Sequence, residues 1–288
     1  MKIYFLTFAL IFLTNISHSQ SPGNCLHFNG TTNNVTTSLP TVFNNIPSNN
    51  ITIEAWVYPE GNSFARILFA QLNPSNFVSV SISTGNLIYF YVNNVSGNST
   101  IAGIPANQWT HVACTWVAST QQSQIFFNGV LQSTTPGGTS STGSDNLMTI
   151  GSRTNNAQYF PGRIDELRIW DDIRTPCEIQ SAMTTEFTTT QANLVAYYKF
   201  NEGVAAGTNT GITSLPEFNN NYNGTLNSFL LNGSTSNWIA SGATINSINN
   251  TASVVTGTDV QSSCNPLLWI DGNTYTSSNN SATHLIAA

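Results

Sequence analysis

Trp109-Thr110-His111-Val112-Ala113-Cys114-Thr115-Trp116-Val117, followed by Gln124-Ile125-Phe126-Phe127-Asn128-Gly129-Val130, reads as two strands ending in a hairpin turn. Val112, Cys114 and Trp116 share one face by the period of two that a strand imposes, so Cys114 is expected as a buried thiol. Asn128-Gly129 is a strong hairpin signal, because a type I′ turn needs φ > 0 at both central residues. Upstream lies Ile51-Thr52-Ile53-Glu54-Ala55-Trp56-Val57, with Ile51, Ile53, Ala55 and Val57 on one face. Downstream lies Gly162-Arg163-Ile164-Asp165-Glu166-Leu167-Arg168-Ile169-Trp170. Other strand candidates are Cys25–Asn29, Ile67–Gln71, Phe77–Ser83, Asn86–Val92, Leu147–Ile150 and Leu194–Phe200. Short strands broken by Asn, Gly, Ser and Pro clusters predict a sandwich or barrel rather than alternating strand–helix units. The exception is Thr175-Pro176-Cys177-Glu178, which has a capping threonine, proline at the first helical position and Glu at the third. That capping box predicts about two helical turns, through Met183.

The chain has 288 residues, of which 40% are hydrophobic and only 7% charged. Soluble domains usually carry roughly 25% charged residues, so the polar surface here must come from Asn, Ser, Thr and Gln. With seven basic residues and a net charge of −6, nucleic-acid binding is not expected. At the start, Lys2 precedes the apolar run Ile3–Leu13, and Ser17-His18-Ser19 supplies small residues for cleavage near Gln20. This reads as a signal peptide over residues 1–19. The run is short of the ~18–20 residues that span a bilayer, so no membrane span is expected after cleavage. A secreted or cell-surface location follows, where disulfides can persist. The cysteines Cys25, Cys114, Cys177 and Cys264 contain no C-x-x-C spacing, which argues against a zinc or redox site.

Read in order, Leu26-His27-Phe28-Asn29-Gly30, the Ile51–Val57 strand, the Trp109–Ala113 strand and Phe160–Ile169 resemble a laminin-G-like family. This is the concanavalin A-like lectin/glucanase, pentraxin-type jelly roll of secreted bacterial proteins. The likeness covers Cys25 to Met183, about half of the chain. It implies an all-β, two-sheet antiparallel jelly-roll sandwich, a short helix after the last motif strand and a poorly ordered C-terminal tail. The jelly roll then spans 22–186. Residues 187–240, whose Leu194–Gly203 and Asn223–Leu226 resemble a segment that accompanies such domains, form either terminal strands of the same sandwich or the stub of a second copy. Residues 241–288 are expected as a linker and the truncated start of a further surface module. The terminal strands of such sandwiches lie side by side, which implies a Cys25–Cys177 bridge and leaves Cys264 without a partner in this chain. Relatives often hold a structural calcium ion, here implied at Asp165 with oxygens from Asn29 and Gly30. Calcium wants six to eight oxygens, several of them carboxylate, and the amides where acids are common weaken such a site. The other reading of Asp165 is as an acceptor for backbone amides of a neighbouring loop.

The family mostly binds, so the resemblance implies a non-catalytic module for a glycan or an extracellular protein, active in carbohydrate binding or adhesion. An accessory domain of a secreted polysaccharide-degrading enzyme, or a structural spacer in a multi-module adhesin, are the alternatives. Retaining glycosidases need two carboxyls about 5–5.5 Å apart, which alternate strand residues supply. No such pattern occurs, Glu54 is alone on its strand, and the neighbours Asp165 and Glu166 are expected on opposite faces. No G-x-S-x-G elbow is present either. Tyr89-Phe90-Tyr91 must put at least one aromatic outward. Trp56, Trp109, Trp116 and Trp170 are expected as packing residues. The loop Arg153–Phe160, rich in amides, nominates Tyr159, Asn155 and Asn156 as ligand-binding residues.

Overall fold

A computed structural model describes residues 23–243, apart from 47, 74–75, 93–97, 137–146 and 156, together with 267–268 and 274–275. The signal segment, Asn156, Cys264 and most of 241–288 lie outside the described residues. In chain order the strands are β1 (Asn24–Asn29), β2 (Asn34–Ser38), β3 (Ile51–Pro59), β4 (Ala65–Asn73), β5 (Asn76–Ile82), β6 (Ile88–Val92), β7 (Asn98–Ser99), β8 (Thr110–Val117) and β9 (Gln122–Phe127). There follow β10 (Val130–Pro136), β11 (Leu147–Ile150), β12 (Pro161–Trp170), the helix α1 (Pro176–Ala182), β13 (Leu194–Tyr198), β14 (Ser214–Leu215), β15 (Gly224–Asn227) and β16 (Trp238–Ala240). A separate hairpin pairs β17 (Leu267–Leu268) with β18 (Thr274–Tyr275).

Two antiparallel sheets carry the fold. The first runs β10-β9-β8-β3-β12-β1-β16, with β13 also on β12; the second runs β14-β15-β2-β11-β4-β5-β6-β7. The alternating faces read from the sequence meet between them: Ile51, Ile53, Ala55, Val57, Val112, Cys114 and Trp116 of the first sheet join one core with Val78, Val80, Ile88 and Phe90 of the second. The sandwich is the jelly-roll architecture that the sequence implied. Residues 194–240 belong to these same sheets, since β13 lies on β12, β15 on β2 and β16 on β1. Their Tyr198, Phe200, Leu215 and Trp238 are in the shared core. Ser241 and Ala243 also pack on the sandwich, with the Ser241 amide bonded to Gly23 and Ala243 buried.

Local chemistry sets the connections. Asn128 and Gly129 have φ of 48° and 76°, a two-residue turn that joins β9 to β10. Asn128 also accepts the His111 amide through its side chain and gives its own amide to the His111 carbonyl. In α1 the Thr175 hydroxyl accepts from the Glu178 amide while the Glu178 carboxylate accepts from the Thr175 amide, a complete capping box.

The outer face of the first sheet is roofed by α1 and the chain after it. Ile179 of the helix packs on Ala113 and Phe126. Trp56 donates its indole N–H to the Met183 carbonyl at 2.8 Å. Arg168 donates to the carbonyls of Ala182 (2.8 Å) and Thr185 (2.5 Å) and to the Glu166 carboxylate (2.6 Å). Glu54 accepts from the Trp170 indole at 3.0 Å and lies 3.6 Å from both Arg168 and His111. Burial, with help from the Arg168 charge, depresses His111 to about 3, so its ring is neutral. Burial raises Glu54, and Arg168 is the largest influence pulling it back. Burial works against the Arg168 charge, but Glu54 and Glu166 outweigh it and hold the guanidinium above its usual value. The motif residues Glu54, His111 and Arg168 thus clamp the roof to the sheet.

The implied Cys25–Cys177 bridge is not formed. Cys25, Cys114 and Cys177 are all free thiols. The register explains why: Cys25 is on β1, whereas α1 packs over β8 and β9, and β3 and β12 intervene. Three strand spacings amount to about 14 Å, against the roughly 7 Å Cα limit for a disulfide. Burial, and then the Asp165 charge, push the Cys25 thiol well up. Replacing Arg168 by Met should cost about 3–5 kcal/mol in urea unfolding, because it leaves Glu54 and Glu166 buried without a cation. A cost under about 1 kcal/mol would show that the clamp is incidental to stability.

Candidate functional site

The outer face of the second sheet carries aromatic groups that no helix covers among the described residues. Alternation puts Phe90 in the core and Tyr89 and Tyr91 outward, with ring centroids 6.0 Å apart and planes 16° from parallel. On the neighbouring β5, Ser81 stands opposite Tyr89 and Ser79 opposite Tyr91. On β4, Arg66 faces Ser81, Phe69 faces Ser79 and Gln71 faces Phe77. Phe77 lies 4.8 Å from Phe69 and 5.9 Å from Tyr91, so the aromatic surface is continuous. The row through Phe69 goes on into Thr149, Thr36 and Thr225, each directly opposed across β11, β2 and β15. Asn227 donates to Asn34 beside it at 2.9 Å.

Arg66 sits at the centre of this face, only 4% exposed. Its guanidinium carbon lies 4.7, 5.1, 5.2 and 5.4 Å from the ring centroids of Phe64, Tyr91, Phe77 and Phe69. It donates to the Ser81 hydroxyl at 2.7 Å, to Ser79 at 3.3 Å and to the Gln158 side-chain carbonyl at 2.9 Å. Burial lowers its pKa to about 10, with the Tyr91 hydroxyl acting upward and Arg153 downward.

The loop nominated by the sequence folds against this face. Gly151 opens it with φ of +82°, and an added Cβ there would lie 2.3 Å from the Phe28 ring. Arg153 pairs with Ala157, Thr154 donates to Gln71 at 3.1 Å, and the Gln158 carbonyl accepts the Arg66 amide. Asn155 is at the exposed tip, Asn156 lies outside the described residues, and Tyr159 is half-buried. Phe160, its neighbour, is a core residue packed edge-on to Phe28. Of the tryptophans, Trp56, Trp116 and Trp170 are buried, and half-buried Trp109 packs edge-on to Tyr58.

The residues named for calcium are held apart. Asn29 faces Pro161, four residues from Asp165, which is about 13 Å along the strand. The Asn29 side-chain carbonyl accepts the amides of Thr31, Thr32 and Asn33 and so shapes the β1–β2 turn. Asp165 accepts from the Ser241 hydroxyl at 2.6 Å and the Glu166 amide at 2.9 Å. Asp165, Asn29 and Gly30 therefore do not converge on one cation.

Asp165 and Glu166 also depart from the expected opposite faces. The register with β3 gains one residue between Asp165 and Arg168, and Glu166 has φ of 53°. This β-bulge turns both carboxyls to the roofed outer side of the first sheet. There Glu166 meets Arg168 and accepts from the Tyr197 hydroxyl.

The sequence model of the concanavalin A-like lectin/glucanases superfamily matches residues 29–180. The chain belongs to this superfamily. Among solved structures, a protein from Bacteroides ovatus to which carbohydrate binding is ascribed aligns with a TM-score of 0.56 at 17% identity, over 72% of this chain and 58% of its own. The chain thus spans little more than half of that structure. A heptameric pentraxin from Limulus polyphemus aligns with a TM-score of 0.45 at 18% identity, over 56% of this chain and 82% of its own. Domain 4 of an extracellular arabinanase from Geobacillus stearothermophilus, in complex with arabinotriose, aligns with a TM-score of 0.39 at 23% identity, over 47% of this chain and 67% of its own. No curated protein matches in sequence.

Asp165 gives a pH signature for this superfamily member. Burial first, then the nearby Glu166 charge, hold its pKa well above the carboxylate range, against the opposing pull of the Ser241 bond. A raised folded-state pKa gives stability that is full below the ordinary value near ~4 and lost as pH rises through the raised one. The melting temperature should therefore fall from mildly acidic to alkaline pH, and Asp165→Asn should flatten that slope in melts from about pH 4 to about pH 8. An unchanged slope in the variant would place the effect on other groups.

Proposed function

We propose that the protein is an exported, non-catalytic carbohydrate-binding module that takes a saccharide on the outer face of its second sheet. The carrying observation is the outward, half-buried Tyr89–Tyr91 pair, with half-buried Ser99 opposite Tyr89 and Thr36, Thr225 and Asn227 reaching solvent farther along the same sheet. A sugar offers an apolar ring face to an aromatic and hydroxyls to amides and hydroxyls, and this surface has both. The loop that carries Asn155 and Tyr159 adjoins the same face through Arg153, Thr154 and Gln158, which supports including it in the reading. The carbohydrate binding ascribed to the Bacteroides ovatus protein agrees with this reading. Export rests on the N-terminal segment of Lys2 and Ile3–Leu13. No helix among the described residues is long and apolar enough to cross a membrane.

The test is a glycan array with the mature chain, run with calcium and with a chelator, followed by calorimetry on the ligands found. Affinity should be micromolar to millimolar, about −4 to −8 kcal/mol, since an open face buries little of a ligand. Tyr89→Ala should weaken binding about tenfold, or ~1.4 kcal/mol, with less than about 1 kcal/mol lost in stability because the ring is half-exposed. Tyr159→Ala should weaken binding less than Tyr89→Ala does. Full affinity in both variants would move the site off this face, and turnover of a bound polysaccharide would overturn the non-catalytic reading.

A further inference from the structure

The basic side chains among the described residues divide by what holds them. Arg163 meets Glu60, Arg168 meets Glu54 and Glu166, Arg174 meets Asp172 and Glu178, and Lys199 meets Glu186, all within 4.0 Å. Arg66 and Arg153 are held by neutral groups: the hydroxyls of Ser79 and Ser81, the Gln158 amide and aromatic rings. Both guanidinium groups lie over the one ring of Phe69, at 5.4 and 5.6 Å, so two like charges share a platform. Hydroxyls and ring faces make a buried cation tolerable without cancelling its charge. Two adjacent cations with no described carboxylate beside them leave a positive field on a face otherwise built of neutral groups. In a chain with net charge −6 that placement is specific.

We propose that the saccharide taken by this face is acidic, a uronate-bearing saccharide whose ring rests on Tyr89 and Tyr91 and whose carboxylate is drawn to Arg153 and the field of Arg66. The inference rests on the reading of this face as a saccharide site. Its geometry follows from the sugar itself. A uronate carries its carboxylate on its own ring carbon, so a stacking platform and a cation must stand within one sugar's breadth. The Arg66 guanidinium carbon is 5.1 Å from the Tyr91 ring centroid. Arg66 is buried, whereas Arg153 is half-exposed on the loop, where its planar fork suits a carboxylate in the bidentate manner that favours arginine.

The experiment titrates the mature full-length chain with oligogalacturonate and, separately, with its fully methyl-esterified form, which keeps the ring and removes the charge. The acid should bind at least tenfold more tightly than the ester. That preference should shrink between about 50 mM and about 500 mM NaCl, as screening of a half-exposed charge requires. Arg153→Gln should bring the acid-to-ester ratio close to one; a melting temperature measured alongside reports on folding. Equal binding of acid and ester by the unaltered protein would overturn the proposal, and so would a ratio that Arg153→Gln leaves unchanged. Binding of neutral polysaccharides alone sinks the acidic assignment and leaves the saccharide face standing. Binding of neither kind removes both.

Discussion

The buried contact of Arg168 with Glu54 and Glu166 is the constraint around which the molecule is arranged. It ties three strand positions to the carbonyls of Ala182 and Thr185, and so fixes where α1 and the chain after it can lie. Removing charges from water costs several kcal/mol per ion, which their mutual attraction and added hydrogen bonds must offset. Here the Trp170 indole, the Tyr197 hydroxyl and two backbone carbonyls supply such bonds, while Glu54 Oε2 and Arg168 Nε are buried without a hydrogen-bond partner. The outcome is one-sided. The first sheet has its outer face roofed and its charges internal. The second has no helix on its outer face among the described residues.

That asymmetry changes the meaning of the motif residues. His111 in W-T-H-V-A and Asp165-Glu166-Leu167-Arg168 are the most recognisable polar groups of the chain, and motif reading alone draws attention to them as a site. They lie beneath the roof. His111 is neutral and 1% exposed, held between Glu54 and the Trp56 ring, where it completes a packing layer.

Much of the fold was legible because its signals are local. Asn128-Gly129 needs only two residues to declare a type I′ turn, Thr175 to Glu178 needs four to declare a cap, and Ile51 to Val57 shows its buried face by alternation. The misreadings came from non-local causes. The bulge at Glu166 inserts one residue against β3, and an alternation rule cannot register an insertion that only the partner strand reveals. The Cys25–Cys177 pairing assumed neighbouring chain ends, whereas the chain leaves β12 for a helix that packs over β8 and β9. β2 and β15 are short and polar on their outer side, with no apolar run to announce them. On the site itself, Tyr89-Phe90-Tyr91 declared its outward aromatics by alternation. Arg66 gave no signal, because its partners come from β5, β6 and a loop some ninety residues downstream.

Where the carboxylates sit bears on what the molecule does. Glycoside hydrolysis by retention asks for two carboxyls about 5–5.5 Å apart in a cleft that admits a polymer. The bulge does bring Asp165 and Glu166 to the same side, and burial raises the pKa of both, which in an open cleft would be the chemistry of an acid and its partner. Their surroundings remove that role. Asp165 is closed in by Ser241, Glu166 by Arg168 and Tyr197, and the chain from Met183 to Phe187 covers them. The outer face of the second sheet presents instead the half-buried Tyr89 and Tyr91 beside Arg66 and Arg153. Asp165 and Glu166 thus serve to fix the roof and the end of the chain to the first sheet, and do not line a cleft among the described residues.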